Sequence, residues 1–171
     1  MPKDKLEQIR LLLLDVDGVL TDGSIIYNGD APETKVFNVR DGLGIRLLLR
    51  SGLSVGVVTG RRSAALRERC RNLGIDLVFD GVGDKAGLLE KIARLSGIGP
   101  GETAFVGDDL PDLGIMRRVG LAIAVADAHA VVRENAALVT TAGGGAGAVR
   151  EVCEAILKAH GVWDKILKDF G

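Results

Sequence analysis

Apolar residues along the chain fall into short continuous runs, separated by stretches in which they recur every three or four positions. The first run, Arg10-Leu11-Leu12-Leu13-Leu14, stops at Asp15-Val16-Asp17-Gly18. An apolar segment of this length closed by Asp and Gly predicts a strand buried on both faces. Residues 53–58, 75–79, 103–106 and 121–125 repeat the pattern. Residues 43–50, 64–73, 86–96 and a shorter segment ending at Val119 lie between these runs and carry helical spacing. Ser63 is placed to begin the second helix, and Gly52 and Gly74 to end the first two. Residues 128–136 predict a further helix, Leu138-Val139 a short edge strand, and residues 148–157 another helix. Alternating strand and helix imply right-handed crossovers and an α/β fold, a Rossmann-like parallel sheet sandwiched by helices.

Two segments depart from this alternation. Ser24-Ile25-Ile26-Tyr27 and residues 33–39 flank Asn28-Gly29, which predicts a β-hairpin over about residues 24–39, inserted straight after the first strand. A lone hairpin is marginal in water, so contacts with another subunit are expected to stabilise it. The tail, about residues 159–171, alternates charges with Trp163, Ile166, Leu167 and Phe170, predicting an amphipathic segment docked on its own subunit or a neighbour. No proline-rich linker or internal repeat divides the 171 residues, so residues 1–171 are expected to form a single domain.

Composition narrows the function. Lys and Arg number 22 against 23 Asp and Glu, so the basic footprint of a nucleic-acid binder is missing, and 4% aromatic residues offer few stacking platforms for bases. No segment approaches the ~18 apolar residues of a membrane span. The opening Met-Pro-Lys-Asp-Lys-Leu-Glu carries acids and argues against a signal peptide, giving the expectation of a soluble, cytoplasmic protein. Cys70 and Cys153 lack any metal or redox spacing and read as ordinary helix residues. His129 and His160 read as helix-surface residues, and Arg62 and Arg67 as solvated charges.

The chemistry gathers at the strand ends. Asp15 and Asp17 follow the first, Thr59-Gly60 the second, Lys85 stands close behind the third, and Gly107-Asp108-Asp109-Leu110-Pro111-Asp112 follows the fourth. In a parallel sheet these ends share one edge, so residues about 90 positions apart converge. Clustered carboxylates repel unless a cation sits among them, and an all-oxygen set without His or Cys favours a hard ion such as Mg²⁺. With a lysine and a small hydroxyl beside it, such a site suits a phosphoryl group. One carboxylate is then available as a nucleophile that forms an aspartyl phosphate. A second can protonate the leaving alkoxide and later deprotonate water, a role worth roughly 10²–10⁴-fold in rate.

Asp15-Val-Asp17-Gly-Val-Leu-Thr21-Asp22-Gly23, Thr59-Gly60-Arg61, Lys85 and Gly107-Asp108-Asp109-x-x-Asp112 resemble the four motifs of haloacid dehalogenase-type phosphatases. Phe37-Asn38-Val-Arg40-Asp41-Gly42-x-Gly-Ile45-Arg46 and Gly143-Gly-Gly-Ala-Gly-Ala-Val-Arg150-Glu151-Val152 extend the resemblance to the capless 3-deoxy-D-manno-octulosonate 8-phosphate phosphatases, over nearly all of residues 8–158. The resemblance implies no large cap domain, a Mg²⁺ cofactor, and hydrolysis of a small phosphorylated sugar acid of lipopolysaccharide synthesis. It implies Asp15 as nucleophile and metal ligand, Asp17 as acid/base and backbone-carbonyl ligand, and Asp108 as third ligand. Asp109 and Asp112 are implied to orient Lys85 or a metal-bound water. Thr59 and Lys85 would hold the phosphoryl group. Substrate contacts would fall on Asn38, Val39, Arg40, Asp41, Gly42, Arg46, Gly60, Arg61 and Arg69, together with Asp17 and Lys85. A homotetramer is implied, its hairpins meeting at the centre and its tails reaching neighbouring sites. The aspartates alone leave open a nine-carbon ulosonate 9-phosphate as substrate, and a non-catalytic regulatory module is the remaining class; the intact Asp15, Asp17, Lys85 and Asp108 argue against the module. The run Gly143–Gly147 reads either as a plain linker or as a mobile flap.

Overall fold

Four consecutive leucines, Leu11 to Leu14, are all buried and form the strand on which the sheet is built. The computed structural model describes residues 3–171. In chain order the elements are α1 (Lys3–Glu7), β1 (Leu11–Leu14), β2 (Ile26–Asn28), β3 (Ala31–Thr34), α2 (Val39–Arg50), β4 (Ser54–Val58), α3 (Ala64–Leu73), β5 (Leu77–Phe79), α4 (Leu89–Ser96), β6 (Thr103–Gly107), α5 (Leu113–Met116), β7 (Leu121–Ala124), α6 (Ala130–Asn135), β8 (Leu138–Val139), α7 (Ala148–Ala159) and α8 (Trp163–Lys168).

The main sheet has six strands in the order β5-β4-β1-β6-β7-β8, every pair parallel. Leu11 lies opposite both Ser54 and Thr103, and Leu14 opposite Val57 and Val106. A strand covered on both faces needs helices above and below, which explains why β1 and β6 carry no exposed residue. From β1 the chain builds outward through β4 to β5, then returns to β6 and builds outward the other way. The strand order therefore reverses between β1 and β6, and the loops leaving these two strands diverge around a crevice.

The fold agrees with the α/β reading and with a hairpin after β1. Among the described residues β2 and β3 pair only with each other, Ile26 opposite Thr34 and Asn28 opposite Ala31. Helix α2 begins at Val39 rather than at Leu43, so Val39 leaves the hairpin. The Asn38 side chain accepts the N–H of Arg40 at 2.8 Å and caps the helix there. Residues 86–88 form one 3₁₀ turn leading into α4. Helix α1 has no sequence signature, because Leu6 is its one buried residue. No helix among the described residues is long and apolar enough to cross a membrane.

Helices α2 and α7 pack closely: a Cβ on Gly44 would fall 3.1 Å from Cys153 Cβ. The tail folds back on its own subunit. Val162, Trp163 and Ile166 pack on the core, and the Lys158 ammonium lies 5.1 Å from the centre of the Trp163 ring.

Candidate active site

Asp15 continues the sheet one residue beyond β1, its N–H donating to Val106 at 3.0 Å. The chain then turns sharply at Gly18, where φ is +89° and a Cβ would stand 2.1 Å from Asp108 Oδ2. Only glycine satisfies both demands. Thr21, buried in the turn, accepts the N–H of Gly18 at 3.4 Å and of Gly23 at 3.2 Å.

Across the crevice Asp112 organises the loop after β6. Its Oδ2 accepts the N–H groups of Asp108 at 3.0 Å and Asp109 at 3.4 Å, and its Oδ1 accepts from Lys85 at 2.7 Å. A Cβ on Gly107 would fall 2.5 Å from Asp112 Oδ2, so this approach also needs glycine. Lys85 is 6% exposed and lies 2.8 Å from Asp15 Oδ1, at ion-pair distance but off the hydrogen-bond direction. Desolvation pulls the lysine pKa down, but Asp15 and Asp112 outweigh it and the ammonium is held above its ordinary value.

One carboxylate oxygen from each of Asp15, Asp108 and Asp112 lies within 4.8 Å of the other two. Asp112 is saturated by its three donors, whereas Asp15 Oδ1 and Asp108 Oδ1 are buried without a hydrogen-bond partner. Burial, against the pull of Lys85, pushes Asp15 up to about 6, and burial with the charges of Asp15 and Asp112 pushes Asp108 up to about 8. Three clustered carboxylates facing a single ammonium repel one another, which a hard divalent cation relieves, so the all-oxygen donor set fits Mg²⁺.

A cavity of about 290 Å³ lies over this cluster. It brings together Asp15, Asp17, Thr59, Gly60, Arg61, Lys85, Asp108, Asp109 and Asp112. Thr59 is fixed by backbone bonds on both sides, donating to Phe79 at 2.9 Å and accepting from Val82 at 3.0 Å. The other sequence-predicted contacts lie outside this cavity's wall. Arg69 donates to the Asn38 carbonyl at 3.0 Å and Arg46 to the Asn72 carbonyl at 2.7 Å. Burial and then the charge of Arg46 lower the Arg69 pKa. Val39 and Arg40 are exposed, while Gly42 is buried with Arg69 against it. The Asp41 carboxylate is turned inward, 1% exposed, and accepts the Arg150 N–H.

Within the run Gly143–Gly147, Gly144 and Gly145 are packed against the aspartate loop. A Cβ on Gly144 would fall 1.8 Å from the Gly18 carbonyl oxygen, and one on Gly145 2.6 Å from the Thr21 carbonyl carbon. Gly144 and Gly145 thus pack backbone to backbone against the aspartate loop. Gly145 donates to Val19 and Gly144 to Asp127, each at 2.9 Å, and Asn38 donates to the Gly145 carbonyl at 3.0 Å.

Two site residues escaped the sequence reading. Lys35 pairs with Asp17, and Glu33 pairs with both Lys35 and Arg61. Their signal was two charges, two positions apart, at the end of a hairpin strand next to the aspartate loop.

A six-stranded parallel sheet whose reversal point gathers these aspartates, Thr59 and Lys85 defines a haloacid dehalogenase-like hydrolase, and residues 75–150 match the family model for haloacid dehalogenase-like hydrolases. The chain is 48% identical over 165 residues to the 3-deoxy-D-manno-octulosonate 8-phosphate phosphatase of Escherichia coli strain K12, spanning 94% of this chain and 86% of that relative. It superposes with a TM-score of 0.96 on the corresponding phosphatase of Moraxella catarrhalis, a structure in complex with a magnesium ion, a phosphate ion and KDO. That pair is 43% identical and covers 99% of this chain and 97% of the other. For the cobalt-bound phosphatase of Haemophilus influenzae the TM-score is 0.92 at 39% identity, with 98% and 99% covered. The chain belongs to the 3-deoxy-D-manno-octulosonate 8-phosphate phosphatase family.

Proposed function

We infer that this chain is a Mg²⁺-dependent phosphatase that hydrolyses 3-deoxy-D-manno-octulosonate 8-phosphate to the free sugar acid and phosphate. The observation that carries the reading is the buried carboxylate cluster of Asp15, Asp108 and Asp112, with Asp108 Oδ1 unpartnered, set in one cavity with Lys85 and Thr59. Asp15 and Asp108, with the backbone carbonyl of Asp17, would hold the ion, which when bound neutralises phosphate charge.

The steps belong to the chain's own groups. Lys85 and Thr59 bind the phosphoryl oxygens and orient phosphorus toward Asp15. Asp15 attacks, the bond to the sugar oxygen breaks, and Asp17 delivers a proton to the leaving alkoxide. Asp17 then takes a proton from the water that hydrolyses the aspartyl phosphate. Asp112 positions Lys85 and the Asp108 loop, acting through them. The inward turn of the Asp41 carboxylate leaves substrate contact at residues 38–42 to backbone groups and to Arg40. Arg46 and Arg69 suit the sugar carboxylate by their planar forks.

Ile25, Ile26, Tyr27 and Val36 are exposed on the hairpin, which supports a homotetramer assembled through it. We place the enzyme in the cytoplasm, acting on a small soluble metabolite. The test is phosphate release from a panel of eight- and nine-carbon ulosonate phosphates with and without Mg²⁺. Preference for the eight-carbon ester is expected; preference for a nine-carbon ester would reassign the substrate, and no release from any would leave a regulatory module.

A further inference from the structure

The hairpin is largely exposed, yet it carries one buried charge. The Lys35 side chain is 3% exposed, with its ammonium paired to Asp17 Oδ1 and lying 3.3 Å from Glu33 Oε1. Arg61, from the loop after β4, donates to Glu33 Oε2 at 2.7 Å and places its Nε 3.8 Å from Asp17 Oδ2. The four charges form a closed ring that joins hairpin, aspartate loop and β4 loop. A buried ammonium is costly unless paired, so this ring fixes where Lys35 sits.

The ring treats the two oxygens of Asp17 differently. Oδ1 is taken by Lys35, whereas Oδ2 is buried without a hydrogen-bond partner, and Asp17 lines the cavity. A carboxyl group that exchanges protons with a leaving group and then with water needs one oxygen free and its rotamer fixed.

We propose that Lys35 is a positioning residue for Asp17, holding Oδ1 so that Oδ2 is the oxygen that exchanges the proton. Glu33 sets the Lys35 ammonium and holds the Arg61 guanidinium by the shorter contact, 2.7 Å against 3.8 Å to Asp17. The proposal rests on the acid/base reading of Asp17. Lys35 contributes no contact to the reacting phosphoryl group, and its effect appears in turnover rather than in substrate affinity.

The test is a double-mutant cycle on the full chain with Mg²⁺ and the eight-carbon phosphate ester as substrate. Lys35→Met is expected to lower kcat by about tenfold or more with KM nearly unchanged, because transition-state geometry is lost without ground-state binding. Lys35→Arg should recover part of the rate. In the Asp17→Asn background, Lys35→Met should have no further effect, since two residues acting through one group are not additive. Equal losses in both backgrounds, or a raised KM with kcat retained, overturn the proposal while the acid/base reading stands. A wild-type rate in Asp17→Asn alone removes that reading and the proposal with it.

Discussion

Asp41 Oδ1 accepts the backbone N–H of Arg150 at 2.7 Å, joining the first turn of α2 to the first turn of α7 across 109 positions of sequence. Helix α7 has Gly147 at its N-cap, which has no side chain to satisfy the first turn. Asp41 does so from another helix, and the acid also complements the positive end of the helix dipole.

Asp41→Ala should therefore destabilise the fold by about 1–3 kcal/mol, the cost of leaving buried donors unsatisfied. A lowered urea midpoint with an unchanged slope would show it. An unchanged midpoint would mean that water replaces the carboxylate.

Gly144→Ala should lower kcat roughly 10²-fold, the scale of a misplacement of about 1 Å in a catalytic loop. The added Cβ meets the Gly18 carbonyl oxygen, which is backbone and cannot swing aside. Phosphate release and circular dichroism together separate a displaced aspartate loop from an unfolded chain.

Mg²⁺ should stabilise the protein more at high pH than at low. The carboxyls of Asp15, at about 6, and Asp108, at about 8, both stand above their ordinary value of 3.8. The metal-free fold thus binds protons more tightly than the unfolded chain does. Their stabilising contribution is full below the ordinary carboxylate value and is lost as pH rises through the two raised values. The ion takes the deprotonated form, so it replaces the proton in that window. Thermal unfolding with and without saturating Mg²⁺ should show a larger increment at about pH 8.5 than at about pH 5.5. Equal increments would place the ion elsewhere.

Ile26 and Tyr27 are 43% and 77% exposed on a sheet of two strands that pairs with no other strand among the described residues. The wild-type chain is expected to sediment as a tetramer and the combined Ile26→Lys and Tyr27→Glu variant as an 18.0 kDa monomer. A wild-type monomer would contradict assembly through the hairpin.

Local signals carried the elements well and the long-range contacts poorly. Four leucines in a row identify β1, and Ser63 and Gly74 bound α3 because each cap acts within its own turn. The start of α2 was obscured because Asn38 follows Val36-Phe37, residues that favour strands. Asp15, Thr59, Lys85 and Asp108 converge in the structure because a parallel sheet puts all its strand ends on one edge. Lys35 reaches Asp17 only when the hairpin folds back, and Asp41 reaches α7 only when two helices pack. The charges at Glu33 and Lys35 mark the hairpin end without naming their partners, and nothing within residues 39–50 points to α7.

Attack of Asp15 on phosphorus is tested most directly by a structure of the enzyme with Mg²⁺ and beryllofluoride, a mimic of the transferred phosphoryl group. Beryllium is expected to be bonded to an Asp15 carboxylate oxygen, with Lys85 and Thr59 on its fluorides and Asp17 on its open side. Beryllofluoride bonded to any other carboxylate, or no capture in the presence of Mg²⁺, would contradict it.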